Sequence, residues 1–264
     1  QWAEEAVASG VVERVEDQQG IFQLISGFTH PLLEIANSWN DTRMSASFES
    51  LLMSLDHPTT KYFWKRNSLD IKNPRTGEVL EKDQRIVGIR TGTRVKYGQS
   101  PESNEYERYS TFNSDPLAEA PLYFVKYAEV CFLRAEGALR GWNMGGTAEH
   151  FYNEGIRNSY FEDPENLSYS EFPQYIEEYL KKEKPTAYVQ KDPMGGEDWP
   201  SVTKIGVKWN ESDTREVKLE KIITQKYIAL FPLSTEAWTE LRRTGYPKLF
   251  PVLNPEDGDG TLDN

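Results

Sequence analysis

The chain has 264 residues, 38% hydrophobic and 27% charged, with 30 Lys+Arg against 42 Asp+Glu and a net charge of −12. This describes a globular chain long enough to bury a substantial core, and it excludes a disordered one. The acidic excess argues against a broad phosphate-binding surface, no apolar run approaches the ~20 residues of a membrane-spanning helix, and the single cysteine, Cys131, excludes an intramolecular disulfide.

QWAEEAVASG reads as the rear of a helix ending at Gly10, with no cap before Trp2. We therefore expect a fragment with residues missing upstream. Short helices are expected over 31–38 and 44–55, the second with Phe48, Leu51, Leu52 and Leu55 on one face and ended by Asp56-His57-Pro58. From Lys61 to Gln99 the helical period is lost, and turns with short extended pieces are expected.

The strongest period begins at Pro121, which suits a first helical turn. Phe124, Tyr127, Cys131, Ala135 and Ala138 form its stripe and Gly141 its stop. Thr147 can cap the next helix, whose stripe is Ala148, Tyr152, Gly155 and Ser159. Two amphipathic helices joined by so short a loop must fold back on each other, and the Ala-Tyr-Gly spacing resembles the second helix of a tetratricopeptide repeat. A charged helix follows over 170–185, then a linker-like insertion over 186–218. Two helices meeting at Phe231-Pro232 complete the pattern, the last capped by Ser234 or Thr235.

Near the end stands EAWTELRRTGYPKLFP, residues 236–251. Arg242 and Arg243 fall in a last helical turn, where cations interact favourably with exposed carbonyls; Gly245 can take the left-handed cap and Pro247 blocks continuation. Local physics explains the stretch as a helix terminus, with a guanidinium free to tie the helix to a carboxylate.

No zinc, P-loop, dinucleotide or nucleophile-elbow motif is present. His30, His57 and His150 stand in unrelated contexts, with His150 at the surface, and Cys131 reads as a buried structural thiol. The acidic tail Glu256–Asp263 lacks the spacing of a calcium loop and reads as a solvated turn.

KIITQKYIALFP followed by EAWTELRRTGYPKLFPV closely resembles the C-terminal region of the SusD/RagB family. APLYFVKYAEVCFLRAEGALRGW with TAEHFYNEGIRNS looks like the family's late helix pair, and NDTRMSASFESLLMSLDHPTTKYF like its mid-chain segment. The resemblance implies a mainly α fold: tetratricopeptide-like helical hairpins in an α/α superhelical scaffold, with long irregular loops and few short strands. It implies that residues 1–264 are the C-terminal part of a single SusD-like domain, with helix pair 121–161, insertion 186–218 and an absent N-terminal half. It further implies a non-catalytic protein of Bacteroidota, lipid-anchored on the outer face of the outer membrane. Such a protein binds oligosaccharides or peptides and serves a SusC-like TonB-dependent transporter. From the residues themselves no cofactor and no metal ligand set is expected.

A sugar offers an apolar C–H face for aromatic rings and a hydroxyl rim for polar groups. Three places combine these in loops. Trp39, Asn40, Asp41 and Arg43 join a ring to hydrogen-bonding groups, or else form a helix cap with a packed Trp. Tyr62-Phe63-Trp64 begins the irregular stretch, or else packs in the core. Trp199 and Trp209 lie in the insertion, where Trp209 can equally anchor the loop. The ligand-binding candidates are Trp39, Asn40, Arg43, Trp64, Trp199 and Trp209. Two other readings stay open from the residues: an all-α glycan-processing hydrolase and a helical-repeat protein-binding adaptor.

Overall fold

A computed structural model describes residues 1–14, 21–22, 30–40, 42–60, 64–67, 70–72, 76, 79–82, 85–98, 103–111, 113, 122–159 and 172–253. Expectations for Asp41, Tyr62, Phe63, Pro121, residues 160–161 and the acidic tail lie outside them. The described chain is mainly helical, with three two-stranded antiparallel sheets. It sorts into two compact units. The first holds residues 1–26, 120–185 and 204–248; the second holds 27–119, 186–203 and 249–264.

In the first unit, α1 (Trp2–Ser9) ends at Gly10. Strand β1 (Ile21–Phe22) pairs with a strand at Leu122–Tyr123. That pairing corrects the expected helix start: the helix, α4, runs Tyr127–Leu139, with Lys126 as its extended N-cap. Phe124 is exposed and lies outside the helix. Burial explains the delay. Lys126 is buried, and its Nζ donates to the carbonyls of Ala229 (3.1 Å) and Phe231 (2.9 Å) at the C-terminal end of another helix, where a cation is favoured.

Helix α5 (Ala148–Asn158) is capped as expected, Thr147 Oγ1 accepting from the amide of His150 at 3.1 Å. The helices α4 and α5 form the expected hairpin, which closes on a glycine. A Cβ on Gly155 would stand 2.8 Å from the ring of Phe132. Phe132 meets Tyr152 edge-on at 6.4 Å, and Tyr152 in turn meets Trp209 at 5.2 Å. The buried Tyr152 hydroxyl donates to the carbonyl of Val207 at 2.6 Å, so this aromatic column is satisfied at its polar end.

Beyond it, α6 (Phe172–Leu180) turns Ile176 and Tyr179 inward. Helix α7 begins at Arg215, four residues before the expected LEKIITQKYIAL, and runs to Ala229 with Thr214 as its cap. It is buried on most sides, including three lysines. Lys221 donates to Asp213 (2.6 Å) and to the carbonyl of Lys208 (2.6 Å), and Lys218 to Glu211 (2.5 Å).

Helix α8 (Ser234–Thr244) takes Leu233 as N-cap, so Ser234 is its first residue and neither Ser234 nor Thr235 caps it. It ends as read from the sequence: Gly245 lies at φ 72°, and its amide returns to the carbonyl of Leu241 at 2.8 Å. Arg243 straddles Glu136 on α4 with contacts of 2.8 and 2.6 Å, and also holds Glu240 at 2.6 Å. Glu136 takes Arg140 as well, and Lys226 of α7 lies 3.1 Å from Glu240 and 3.6 Å from Glu129. Of these five carboxylate–cation links, three run between helices and tie α4, α7 and α8 together.

In the second unit, a single turn α2 (Pro31–Leu33) continues as a π-helix over Glu34–Trp39. Helix α3 (Ala46–Leu55) ends on Asp56 at φ 53°. Backbone of residues 87–89 knits onto Met44, Ala46 and Ser110, with Met44 N to Ser110 O and Ile89 N to Met44 O both at 2.8 Å. Strands β2 (Asp70–Lys72) and β3 (Val79–Lys82) make a bulged antiparallel pair. With the strand at Leu122–Tyr123 as β4, the last pair is β5 (Val189–Gln190) with β6 (Trp199–Pro200). Within the described residues of 186–218, the expected linker is therefore a hairpin followed by an approach to α7.

Candidate functional site

The π-helix decides the site. One extra residue per turn widens the helix and re-aims the residues at its end. His30 starts the element by accepting from the amide of Leu32 at 3.1 Å through Nδ1, and burial holds its pKa below the ordinary imidazole value. At the other end Asn40 adopts the left-handed conformation, φ 53°, ψ 33°. Asn tolerates this better than most residues because its short side chain bonds locally. The turn leaves Trp39 with 61% of its surface exposed.

Behind Trp39 the polar groups are fixed. Asn40 Nδ2 donates to Glu107 Oε1. Arg43 has a side chain only 2% exposed, and it spends its fork on the carbonyls of Tyr106 (2.7 Å) and Thr42 (2.9 Å), on Asn40 Oδ1 (3.1 Å) and on Glu107 (3.4 Å). Glu107 lies in a 3-10 turn over Glu105–Arg108, capped by Asn104. An aromatic face therefore projects beside an amide and a carboxylate held in place by a buried guanidinium. Such a set suits stacking on an apolar face and hydrogen bonding to a hydroxyl rim.

The other candidates lie elsewhere. Trp64 is buried, edge-on to Phe48 at 6.1 Å. Trp209 is buried in the first unit, its Nε1 donating to Glu211 at 2.8 Å, so it anchors the approach to α7. Trp199 is half-buried under the guanidinium of Arg90, 3.7 Å above its ring. The structure brings Trp39, Asn40 and Arg43 together and leaves the three other tryptophans in separate packing roles. Glu107 and Tyr106, which complete the cluster, carry no signal that sequence spacing could show, being more than 60 residues from Asn40 and Arg43.

Among the described residues, His57 and Cys131 are packed in the interior. His57 is buried, its Nδ1 2.9 Å from Thr59 Oγ1, and burial pushes its pKa down to about 3. His150 is exposed as expected. Burial pushes the Cys131 thiol up to about 11, which leaves it inert at neutral pH. Among the described residues no group of three His, Cys, Asp or Glu side chains could hold a metal, and no helix is long and apolar enough to cross a membrane.

Comparison with known proteins gives a consistent result. The profile of the SusD-like family, described as Susd and RagB outer membrane lipoprotein, matches residues 1–264. A SusD homologue from Bacteroides thetaiotaomicron is 34% identical with a TM-score of 0.74, the match covering 95% of this chain and 47% of that one. A homologue from Bacteroides vulgatus is 30% identical with a TM-score of 0.77, covering 99% and 49%. A chitin-binding SusD homologue from Flavobacterium johnsoniae is 35% identical with a TM-score of 0.66, covering 89% and 44%. The chain thus spans about half the length of the solved relatives it matches. No curated protein matches it.

Proposed function

Because the chain belongs to the SusD-like family of outer-membrane lipoproteins, we propose that it is the ligand-holding portion of a cell-surface nutrient-binding protein. It takes up an oligosaccharide at the outer face of the outer membrane and passes it to a SusC-like TonB-dependent transporter, without breaking a bond. The observation that carries this reading is the exposed Trp39 ring beside the Asn40–Glu107 pair, with Arg43 buried behind them. The chitin-binding homologue supports a saccharide ligand.

In this reading Trp39 stacks on the sugar, and Asn40 and Glu107 meet its hydroxyls. Arg43 positions both without touching the ligand. Trp64 and Trp209 hold the framework, and Trp199 stands apart from the Trp39 site.

Calorimetric titration against a glycan panel that begins with chito-oligosaccharides tests the reading. Trp39→Ala is expected to weaken binding by about tenfold or more, the effect of removing an aromatic anchor from a contact surface, with the melting temperature unchanged. Equal binding by Trp39→Ala would move the site elsewhere. Release of cleaved saccharide without an added hydrolase would overturn the non-catalytic role.

A further inference from the structure

Among the described residues of the second unit only two aromatic side chains are exposed, Trp39 at 61% and Tyr97 at 69%. They are far apart in sequence, yet both flank the same short turn, Glu105–Arg108. On one side Glu107 meets Asn40, the residue after Trp39, and the Tyr106 carbonyl accepts from Arg43 at 2.7 Å. On the other side Glu105 pairs with Lys96, the residue before Tyr97. The Glu105 amide donates to the Lys96 carbonyl at 3.0 Å, and the Lys96 amide donates to Glu105 Oε2 at 2.7 Å. Each exposed ring thus stands one residue from a bond to this turn.

The backbone under Tyr97 is fixed on both sides. Lys96 is tied by the two bonds to Glu105, and Gly98 lies so close to Ser103 that a Cβ there would run into the Ser103 backbone. Only glycine permits that approach. A ring on anchored backbone, with two side-chain torsions to give up, loses little freedom when a ligand settles on it.

Exposure alone does not mark a platform. Trp142 and Trp238 are exposed in the first unit, and each carries a guanidinium over its ring, Arg140 at 5.8 Å and Arg242 at 5.2 Å. Among the described residues neither a ring nor a cation covers Trp39 or Tyr97. An open aromatic face is apolar surface left in water, and it gains by stacking on the C–H face of a sugar.

We propose that Tyr97 is a second stacking platform of the Trp39 site, and that the ligand is a linear oligosaccharide laid across the Glu105–Arg108 turn from one ring to the other. This rests on the saccharide reading of Trp39 given above and adds a length requirement to it. The two rings do not stack on each other, so a sugar unit on Trp39 leaves Tyr97 to a later unit of the same chain. Between them the carboxylates of Glu105 and Glu107 offer acceptor oxygens to the hydroxyl rim. Each is already oriented, Glu105 by the Lys96 amide and Glu107 by Asn40 and Arg43. The second ring contributes only when the ligand spans the turn, so affinity rises with chain length up to that span and then levels off.

Calorimetric titration of the whole chain with chito-, cello-, malto- and xylo-oligosaccharides, from monomer to hexamer, tests this. In a series that binds, the hexamer is expected to bind at least about tenfold more tightly than the monomer, the effect of engaging a second aromatic anchor. Tyr97→Ala is expected to remove that gain, with the melting temperature unchanged because the side chain is exposed. Tyr97→Phe keeps the ring and is expected to retain the gain. A monomer bound as tightly as the hexamer, a gain that survives in Tyr97→Ala, or a gain lost in Tyr97→Phe would overturn the second platform while Trp39 keeps its role. No binding by any series, or binding unchanged in Trp39→Ala, would overturn the saccharide reading of the Trp39 site and this inference with it.

Discussion

Two arginines show how differently the two units are held. Arg243, in the helical first unit, meets carboxylates from two helices at 2.6–2.8 Å, and these bonds raise its pKa above the ordinary guanidinium value. Arg90, in the second unit, is buried on an indole with one bond to the carbonyl of Pro251, and burial lowers its pKa. A guanidinium does not give up its proton in either place. The first unit matches its charges on helices that lock one another in register. The second tolerates unmatched donors where a loop covers them.

The sharpest way to break this contrast is Lys226→Ala. Lys226 is buried between Glu129 and Glu240. Burial raises the Glu129 pKa, and Lys226 is the main influence opposing it. Removing the lysine leaves the buried Glu129 without the cation that faces it, while Glu240 keeps Arg243. The expected loss is about 3–5 kcal/mol of stability, measured by urea denaturation of the first unit's tryptophan signal. A loss below 1 kcal/mol would mean that the links between α4, α7 and α8 are ornamental.

Gly155→Val tests packing rather than charge. The added side chain must enter space taken by the Phe132 ring, 2.8 Å from the first added carbon. The ring is itself fixed against Tyr152. Overpacking of this kind costs about 1–3 kcal/mol, and a thermal melt of the variant reads it.

What the sequence made legible follows from range. The caps at Thr147 and Gly245 depend on residues three or four positions away, and both were readable. Burial of Cys131 followed from its place on a periodic face. The start of α4 was misplaced because Leu122–Tyr123 is claimed by Ile21–Phe22, a partner about 100 positions away that no local pattern announces. The role of Arg243 was half legible. Its helix terminus could be read, but its main partner Glu136 lies 107 positions away. The tryptophans were the least legible. Trp39, Trp64, Trp199 and Trp209 look alike in sequence, and only tertiary packing decides which ring meets solvent.

The smallest expected effect is the one that defines the second unit. Arg90→Met removes the bond to Pro251, worth about 1 kcal/mol or somewhat more as a charged donor, and a stacked cation–π contact of up to about 2 kcal/mol. Against this it removes two buried nitrogens that have no acceptor, each costing about 1–3 kcal/mol. It also replaces them with a thioether that packs well on Trp199 and Phe250. Asp192 loses a nearby cation but keeps the Tyr109 hydroxyl and the Met194 amide. These contributions nearly cancel, so the melt of Arg90→Met is expected within about 1 kcal/mol of the parent in either direction. That is several times less than the loss from Lys226→Ala, although both variants delete a buried cation. A loss equal to that of Lys226→Ala would show that Arg90 is as fully bonded as Arg243, and the contrast between the two units would be gone.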